Sequence, residues 1–285
     1  MTVTIPDVTV GVLALQGAFS EHVQLLRKAA QTLKARNGQD LKWSFIEVRT
    51  AKELEICDAL ILPGGESTTM SLVAARSGLL DPLREYVKVQ RKPVWGTCAG
   101  LILLAESANR TKKGGQELIG GLDVRVNRNH FGRQTESFQT KLDLPFLREA
   151  IGDGADLPYR CVFIRAPVVE KILPHHSGIQ TEEASRDATV VAPSKTPADE
   201  LAKEELKAEV EVMAKVPTQT PALQGNKAHE HAGTEDIVAV RQGNVFGTSF
   251  HPELTDDARI HAWWLNEVLK AVDRRQQFEI ADRTA

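Results

Sequence analysis

Three short stretches of this sequence hold residue types that could cleave a carbonyl compound by nucleophilic attack. In the first, WGTCAG (95–100), Cys98 stands between an apolar run and a segment with helical periodicity. This Gly-x-Cys-x-Gly arrangement is typical of a nucleophile elbow, a tight turn from strand to helix that exposes the central side chain. The N-terminus of the following helix favours the thiolate, which is the reactive form of cysteine. From this motif alone, a buried structural cysteine remains the alternative.

The second stretch, SFHPE (249–253), can supply a base and a residue that orients it. A free thiol has a pKa of ~8.5, so only a small fraction is ionised at neutral pH and a partner base is needed. The imidazole of His251 can take the proton, and the carboxylate of Glu253 can hold that ring in the correct tautomer. Alone, the stretch also fits an ordinary loop histidine and a surface glutamate. Together with Cys98 it favours a Cys-His-Glu triad.

The third stretch, LPGGESTT (62–69), follows an apolar run and opens a segment with helical periodicity. It lacks the Gly-Lys-Ser/Thr ending of a P-loop. A Gly-Gly turn before a helix presents backbone N–H groups, which suit an anion or the oxyanion of an acyl-transfer intermediate. A tight turn that only needs positive φ is the alternative for this stretch.

The elements that must position these stretches alternate between strand-like and helix-like segments. Short apolar runs at 8–15, 43–48, 59–62 and 93–95 are typical of buried parallel strands. The periodic segments between them predict helices, and such βαβ units predict an α/β fold: a flavodoxin-like, doubly wound, mostly parallel sheet with helices on both faces. Shorter strands are predicted at 122–126, 137–142 and 161–164, with a hairpin over 237–248 and a closing helix over 256–272.

One region differs from the rest in composition. Between Phe163 and Phe246 there is no aromatic Phe, Tyr or Trp, and about residues 177–235 are rich in Glu, Lys, Ala, Thr and Pro. Such a composition offers little apolar area to offset the entropy of ordering the chain. We therefore expect a single domain over residues 1–285, interrupted by a mobile insertion at about 177–235, and we expect deletion of residues 182–235 to leave catalysis intact.

Composition excludes several classes of protein. Among 285 residues, 35 Lys and Arg balance 38 Asp and Glu, so the net charge of −3 argues against nucleic acid or an anionic membrane as the main partner. Three cysteines exclude a disulfide scaffold, and no apolar run approaches the ~18–20 residues of a membrane span. The first residues indicate a strand rather than a signal peptide, so we expect a cytoplasmic protein. The histidine pairs at 175–176 and 229–231 lack metal-site spacing, and we predict neither a metal nor a cofactor.

In their order along the chain (62–69, 95–100 and 249–253), the three motifs resemble those of the class I, triad-type glutamine amidotransferases. The chain is most similar to the glutaminase subunits of pyridoxal 5′-phosphate synthase. The stretches that carry this resemblance are LQG (15–17), PGGESTT (63–69), GTCAGL (96–101), NHFGRQ (129–134), VFIRAP (162–167) and SFHPELT (249–255). The resemblance implies hydrolysis of L-glutamine to glutamate and ammonia. It also implies transfer of the ammonia to a (β/α)₈-barrel synthase subunit, within a large hetero-oligomer that makes pyridoxal 5′-phosphate.

The resemblance implies roles by matched position. Cys98 corresponds to the nucleophile, His251 to the acid and base, and Glu253 to the residue that orients the histidine. The positions implied around glutamine are Gly65, Glu66, Ser67, Arg128, Ile164 and Arg165. The positions implied in the oxyanion hole, through their backbone N–H groups, are Gly65 and Ala99, and the position implied on the synthase side is Gln16.

Two alternatives stay open at this point. The chain could serve another amidotransferase, or act as a peptidase or deglycase of the related Cys-elbow superfamily, although those relatives usually lack the His-Pro-Glu turn. It could also be a non-catalytic regulatory subunit. Such proteins typically lose the nucleophile or the base, and here all three triad positions are filled.

Overall fold

The structure is a computed structural model, which describes residues 7–37, 41–109, 116–128, 137–151, 157–217 and 235–284. The strands are β1 (Asp7–Leu13), β2 (Lys42–Val48), β3 (Ala59–Leu62), β4 (Val94–Thr97), β5 (Ala105–Asn109), β6 (Leu122–Asn127), β7 (Ser137–Leu142), β8 (Tyr159–Ile164), β9 (Val168–Ile172), β10 (Thr189–Val191), β11 (Glu211–Pro217), β12 (Glu235–Gln242) and β13 (Val245–Thr248). The helices are α1 (Phe19–Asn37), α2 (Ala51–Glu55), α3 (Ser67–Arg76), α4 (Leu80–Arg84), α5 (Ala99–Leu104), α6 (Pro145–Ile151), α7 (Thr181–Ala184), α8 (Glu200–Lys207) and α9 (Arg259–Thr284).

The main sheet has a parallel half and a mixed half. Its strand order is β10-β5-β6-β9-β12-β13-β4-β3-β1-β2, and β11 pairs with β12 outside this path. From β13 to β2 all neighbours are parallel, as the βαβ pattern predicts. Beyond β13 the pairs are antiparallel except β5 with β6, and β7 and β8 form a separate antiparallel pair. The predicted fold class is confirmed; of the shorter strands predicted after residue 120, the first is β6 in the mixed half, and those at 137–142 and 161–164 are β7 and β8 of the separate pair.

Apolar side chains cover both faces of the sheet. Successive residues of β3 belong to different hydrophobic clusters: Ile61 packs into the cluster on one face of the sheet, and Leu60 and Leu62 pack into the cluster on the other. Both faces are buried because the strand lies between two layers of helices. The predicted hairpin is confirmed as β12 and β13, which pair around Gly243. No helix within the described ranges is long and apolar enough to cross a membrane.

The region after residue 177 differs from the predicted mobile insertion. Strand β10 extends the sheet beside β5, and β11 pairs with β12 along its length. Buried polar contacts join this region to the sheet: Arg125 pairs with Glu183 at 2.6 Å, and Arg91 donates to the Glu205 carbonyl at 3.1 Å. The prediction counted apolar side chains and did not foresee these elements, which contact the sheet through backbone pairing and buried ion pairs. Residues 218–234, the rest of the predicted insertion, lie outside the described residues.

Candidate active site

Cys98 occupies the turn between β4 and α5, as the sequence predicts. Its backbone lies at φ 48° and ψ −100°, a left-handed conformation that is strained for any residue with a side chain. A hydrogen bond from its N–H to the Thr248 carbonyl, at 2.7 Å, ties this turn to the neighbouring strand β13. The strain and the tie together indicate a turn built to present one side chain at the carboxyl end of the sheet.

The two glycines of the elbow are required because strand and helix approach closely. A Cβ atom on Gly96 would lie 2.5 Å from the carbonyl carbon of Gly100. A Cβ atom on Gly100 would collide with the carbonyl oxygen of Leu62 in β3. The spacing Gly-x-Cys-x-Gly therefore follows from the packing of α5 against β3 and β4.

His251 and Glu253 follow the strand that lies beside the elbow. Thr248 of β13 is in register with Thr97 of β4, so the chain after β13 emerges next to Cys98. His251 Nδ1 lies 2.7 Å from Glu253 Oε1, and the side chain of Glu253 is fully buried. The N–H of His251 also donates to the Val162 carbonyl of β8 at 2.8 Å. The sequence prediction that one turn delivers both groups agrees with this geometry.

The electrostatics of this group favour a protonated imidazole at His251. Burial by itself lowers the pKa of His251, but hydrogen bonds to Cys98 and Glu253, and the charges of both, raise this pKa to about 10. For Glu253, burial raises the pKa, but the neighbouring His22 and the hydrogen bond and charge of His251 bring it below its usual value. The arrangement therefore favours a carboxylate at Glu253 and an imidazolium at His251.

The Gly-Gly turn lies directly against the ring of His251. A Cβ atom on Gly64 would collide with the His251 ring, so this position requires glycine. The turn is held by Gln16, whose Oε1 accepts from the Glu66 N–H at 2.8 Å, and by the Ala18 N–H, which donates to the Gly64 carbonyl at 3.2 Å. The backbone of this turn is thus fixed beside the reacting groups, as an oxyanion site needs.

Glu66, Ser67 and Arg128 are brought together at the start of α3. The Glu66 carboxylate caps the helix by accepting from the N–H groups of Thr68 at 3.1 Å and Thr69 at 2.7 Å. Arg128 Nη2 donates to Ser67 Oγ at 2.9 Å and lies 3.9 Å from Glu66 Oε1. Burial lowers the pKa of Arg128 while the Glu66 charge opposes that shift. These three predicted substrate residues therefore form one polar group.

Other predicted site residues stay predictions. Ile164 and Arg165 are exposed at the end of β8, and Arg165 has φ 45°; both lie just beyond the strand residue that binds the His251 N–H. Ala99 is the first residue of α5, where an N–H group has no acceptor within the helix. The roles of Gly65 and Ala99 as oxyanion donors and of Gln16 towards a partner are not tested by these contacts. Residues 129–134 lie outside the described residues.

Sequence reasoning missed His22, which is fully buried in α1. Its Nε2 lies 3.4 Å from Glu253 Oε2 and 3.3 Å from Thr97 Oγ1. A signal was present, because His22 precedes Leu26 by four residues and so shares the apolar face of α1. A histidine on that face must find a polar partner inside the protein.

A comparison with protein families decides which family this site belongs to. The family model described as SNO glutamine amidotransferase matches residues 12–203 and 209–270, which include all three triad positions. The chain belongs to the SNO glutamine amidotransferase family.

Named relatives and a solved structure agree with this assignment. The chain is 41% identical over 257 residues to a probable pyridoxal 5′-phosphate synthase subunit PDX2 of Arabidopsis thaliana, covering 90% of this chain and 84% of that protein. It is 40% identical to the pyridoxal 5′-phosphate synthase subunit PdxT of Streptomyces avermitilis, covering 91% of this chain and 93% of that protein. A crystal structure described as a glutamine amidotransferase matches with a TM-score of 0.58 and 34% identity, covering 91% of this chain and 98% of the other.

Proposed function

We propose that this member of the SNO family is the glutaminase subunit of a pyridoxal 5′-phosphate synthase. It hydrolyses L-glutamine to L-glutamate and ammonia and passes the ammonia to the synthase subunit for vitamin B6 formation. The single observation that carries this proposal is the Cys98–His251–Glu253 arrangement at the carboxyl end of the sheet. The names of the relatives support the choice of synthase.

The first half of the reaction forms a thioester. The Cys98 thiolate attacks the side-chain amide carbon of glutamine, and the carbonyl oxygen becomes an oxyanion. We assign its donors as the N–H groups of Gly65 and Ala99, each worth on the order of 10²–10³ in rate. His251, protonated at neutral pH, gives its Nε2 proton to the amide nitrogen. The carbon–nitrogen bond then breaks, ammonia leaves, and a glutamyl thioester remains on Cys98.

The second half returns the enzyme to its starting state. Neutral His251 takes a proton from water, and the resulting hydroxide attacks the thioester carbon. The carbon–sulfur bond breaks, glutamate leaves, and Cys98 and His251 regain the ion pair. Throughout, Glu253 accepts the Nδ1–H of His251 at 2.7 Å, which fixes the ring so that Nε2 faces the reaction.

The remaining polar groups suit the α-carboxylate and α-amine of glutamine. We assign the carboxylate to the guanidinium of Arg128 or Arg165, since arginine binds carboxylates in a bidentate manner. Glu66 offsets the positive charge of the amine, and its own pKa lies below the usual value because hydrogen bonds from Thr68 and Thr69 outweigh burial. Ile164 contributes through its backbone.

The partner and the setting complete the proposal. The ammonia acceptor is a (β/α)₈-barrel subunit in a large hetero-oligomer, with Gln16 on the partner side of the site. The chain is one domain over residues 1–285 and acts in the cytoplasm. We further expect the isolated chain to be weakly active, because docking of the partner would complete the oxyanion hole and prevent wasted glutamine.

The test is to mix the chain with a matching synthase subunit and follow pyridoxal 5′-phosphate formation with glutamine as the sole nitrogen source. Product is expected with the native chain and not with Cys98→Ala. When ammonium chloride is added as the nitrogen source, both mixtures should form product. Glutamine hydrolysis without pyridoxal 5′-phosphate would indicate another amidotransferase. Failure of a glutamine-mimicking electrophile to label Cys98 in the mixture would indicate a regulatory subunit.

A further inference from the structure

Two fully buried histidines lie behind the triad, and the mechanism above does not use them. His22 of α1 and His261 of α9 face each other, with His22 Nδ1 3.0 Å from His261 Nε2. The other ring nitrogen of His22 lies 3.4 Å from Glu253 Oε2. Among the described residues this carboxylate oxygen has no hydrogen bond of ordinary geometry, whereas the other oxygen of Glu253 binds His251.

Both histidines are neutral at physiological pH. Burial lowers the pKa of His22, the Glu253 charge opposes this, and the His251 charge lowers it further, so the net direction is down. Burial, and then the neighbouring His22 ring, place the pKa of His261 well below its usual value. Each ring therefore carries a single N–H, and the question is which nitrogen bears it.

The contacts decide the tautomers. If His261 carries its proton on Nε2, it donates to His22 Nδ1, and the proton of His22 sits on Nε2, between Thr97 Oγ1 and Glu253 Oε2. The opposite choice would turn a lone pair of His22 towards the carboxylate. It would also place an N–H on His261 Nδ1, which has no partner in the described part of the chain. A buried donor without an acceptor is costly, so the first arrangement is favoured.

We propose that His22 is a positioning residue of the triad. Its Nε2–H, set by the hydrogen bond from His261, is directed at Glu253 Oε2 and holds that carboxylate with Oε1 towards His251. Without this donor, a buried carboxylate oxygen would lack any compensating contact, and the carboxyl group would turn or take up a proton. Either change loosens the imidazole that activates Cys98. This proposal rests on the proposed function for the measurement of glutamine turnover, but not for the measurement of Cys98 alkylation.

Two amide substitutions distinguish the two nitrogens of His22. The amide of His22→Gln reaches the place of Nε2 and can still donate to Glu253. The shorter amide of His22→Asn occupies the place of Nδ1 and can meet only His261. His22→Leu removes both contacts. Val23→Ala, the adjacent buried position of α1, serves as the control for disturbance of the helix.

Turnover is measured with the synthase partner present, per active site titrated by covalent labelling of Cys98. We expect His22→Asn and His22→Leu to lower kcat ~10-fold with KM unchanged, because His22 touches Glu253 and not the glutamine-binding group. The acid limb of the pH profile of kcat/KM should shift to higher pH by on the order of one unit, since the pKa of Glu253 rises when its hydrogen-bond donor is lost. His22→Gln and Val23→Ala should keep the native profile.

Alkylation of Cys98 by iodoacetamide at pH 6 gives a second readout that needs no glutamine. Asn and Leu variants should react several-fold more slowly than the native chain, and the Gln variant at the native rate. If His22→Leu fails to fold, the Asn and Gln variants still decide the matter. Equal rates and equal pH profiles for Asn and Gln would overturn the proposal. A native chain that alkylates as expected but leaves glutamine intact would instead contradict the proposed function.

Discussion

Two buried glutamates of this protein are used in opposite ways. Glu183 of α7 accepts at Oε2 from Arg125 at 2.6 Å and from Ser107 at 2.9 Å, and at Oε1 from Arg186 at 3.2 Å. Glu253 accepts at Oε1 from His251 at 2.7 Å, and its Oε2 has only the 3.4 Å approach of His22. For both, burial raises the pKa and the surrounding partners bring it below the usual value.

The difference lies in the partners. Arginines stay charged at every relevant pH, so the Glu183 cluster is a fixed, fully paired network that holds α7 and β10 to the sheet. The partners of Glu253 are histidines, which can gain or lose a proton within the range of enzyme catalysis. Full pairing with fixed charges therefore marks a structural cluster, and incomplete pairing with titratable groups marks the catalytic one.

Deleting residues 182–217 is expected to have the largest effect, because it removes the structural cluster altogether. The deletion takes away Glu183, strand β10, helix α8 and strand β11, and it leaves the buried Arg125 with Glu170 as its remaining carboxylate partner. We expect no soluble folded protein, as judged by circular dichroism and gel filtration. A folded, active deletion variant would restore the sequence-based expectation that this region is dispensable.

Removing the nucleophile tests the catalytic cluster around Glu253. Cys98→Ala should lower glutamine hydrolysis by on the order of 10⁴-fold or more, while the melting temperature stays close to the native value. Cys57→Ala is the matched control: burial raises the pKa of Cys57 to about 12, so this thiol is inert, and activity per folded molecule should be native. Ammonia release from glutamine checks both variants.

Matched amide substitutions compare the two glutamates directly. Glu253→Gln keeps the shape of the side chain but cannot hold an imidazolium, so kcat should fall ~10³-fold with little change in stability. Glu183→Gln removes one of the two carboxylates that pair with Arg125, leaving Glu170, and should lower the free energy of unfolding by about 2 kcal/mol. Urea titration and kinetics at low temperature measure the two effects. A reversed pattern, with activity lost at position 183 and stability lost at position 253, would contradict the assignment of Glu183 to structure and Glu253 to catalysis.

The smallest expected effect is a pH dependence. Because the pKa of His251 is raised to about 10, the imidazolium persists through pH 7–9 and is lost only as pH rises through about 10. This pairing therefore adds stability that is fully present below the usual histidine pKa of ~6.5 and disappears above pH 10. Cys98 alkylation should change little between pH 7 and 9 in the native chain. In His251→Gln it should rise steeply with pH, and equal slopes would contradict the ion pair.

Local patterns in the sequence predicted the catalytic strands and turns well. The runs before Cys98 and His251 became the neighbouring strands β4 and β13, because parallel strands with buried faces have a distinctive apolar composition. The region after residue 177 was not predicted, since ion pairs such as Arg125 with Glu183 join residues distant in sequence and leave no local pattern. For His22, the apolar face of α1 indicated burial, but the identity of its partner Glu253, at the other end of the chain, left no local pattern.

The most direct test of the central claim is whether the acyl group of glutamine is carried on Cys98. The chain and its synthase partner would be mixed with glutamine, quenched in acid within a turnover, and digested for mass spectrometry. We predict a glutamyl thioester on the peptide that contains Cys98, and none on the peptides of Cys57 or Cys161. Undiminished ammonia release by Cys98→Ala, with no adduct on the native chain, would contradict the account.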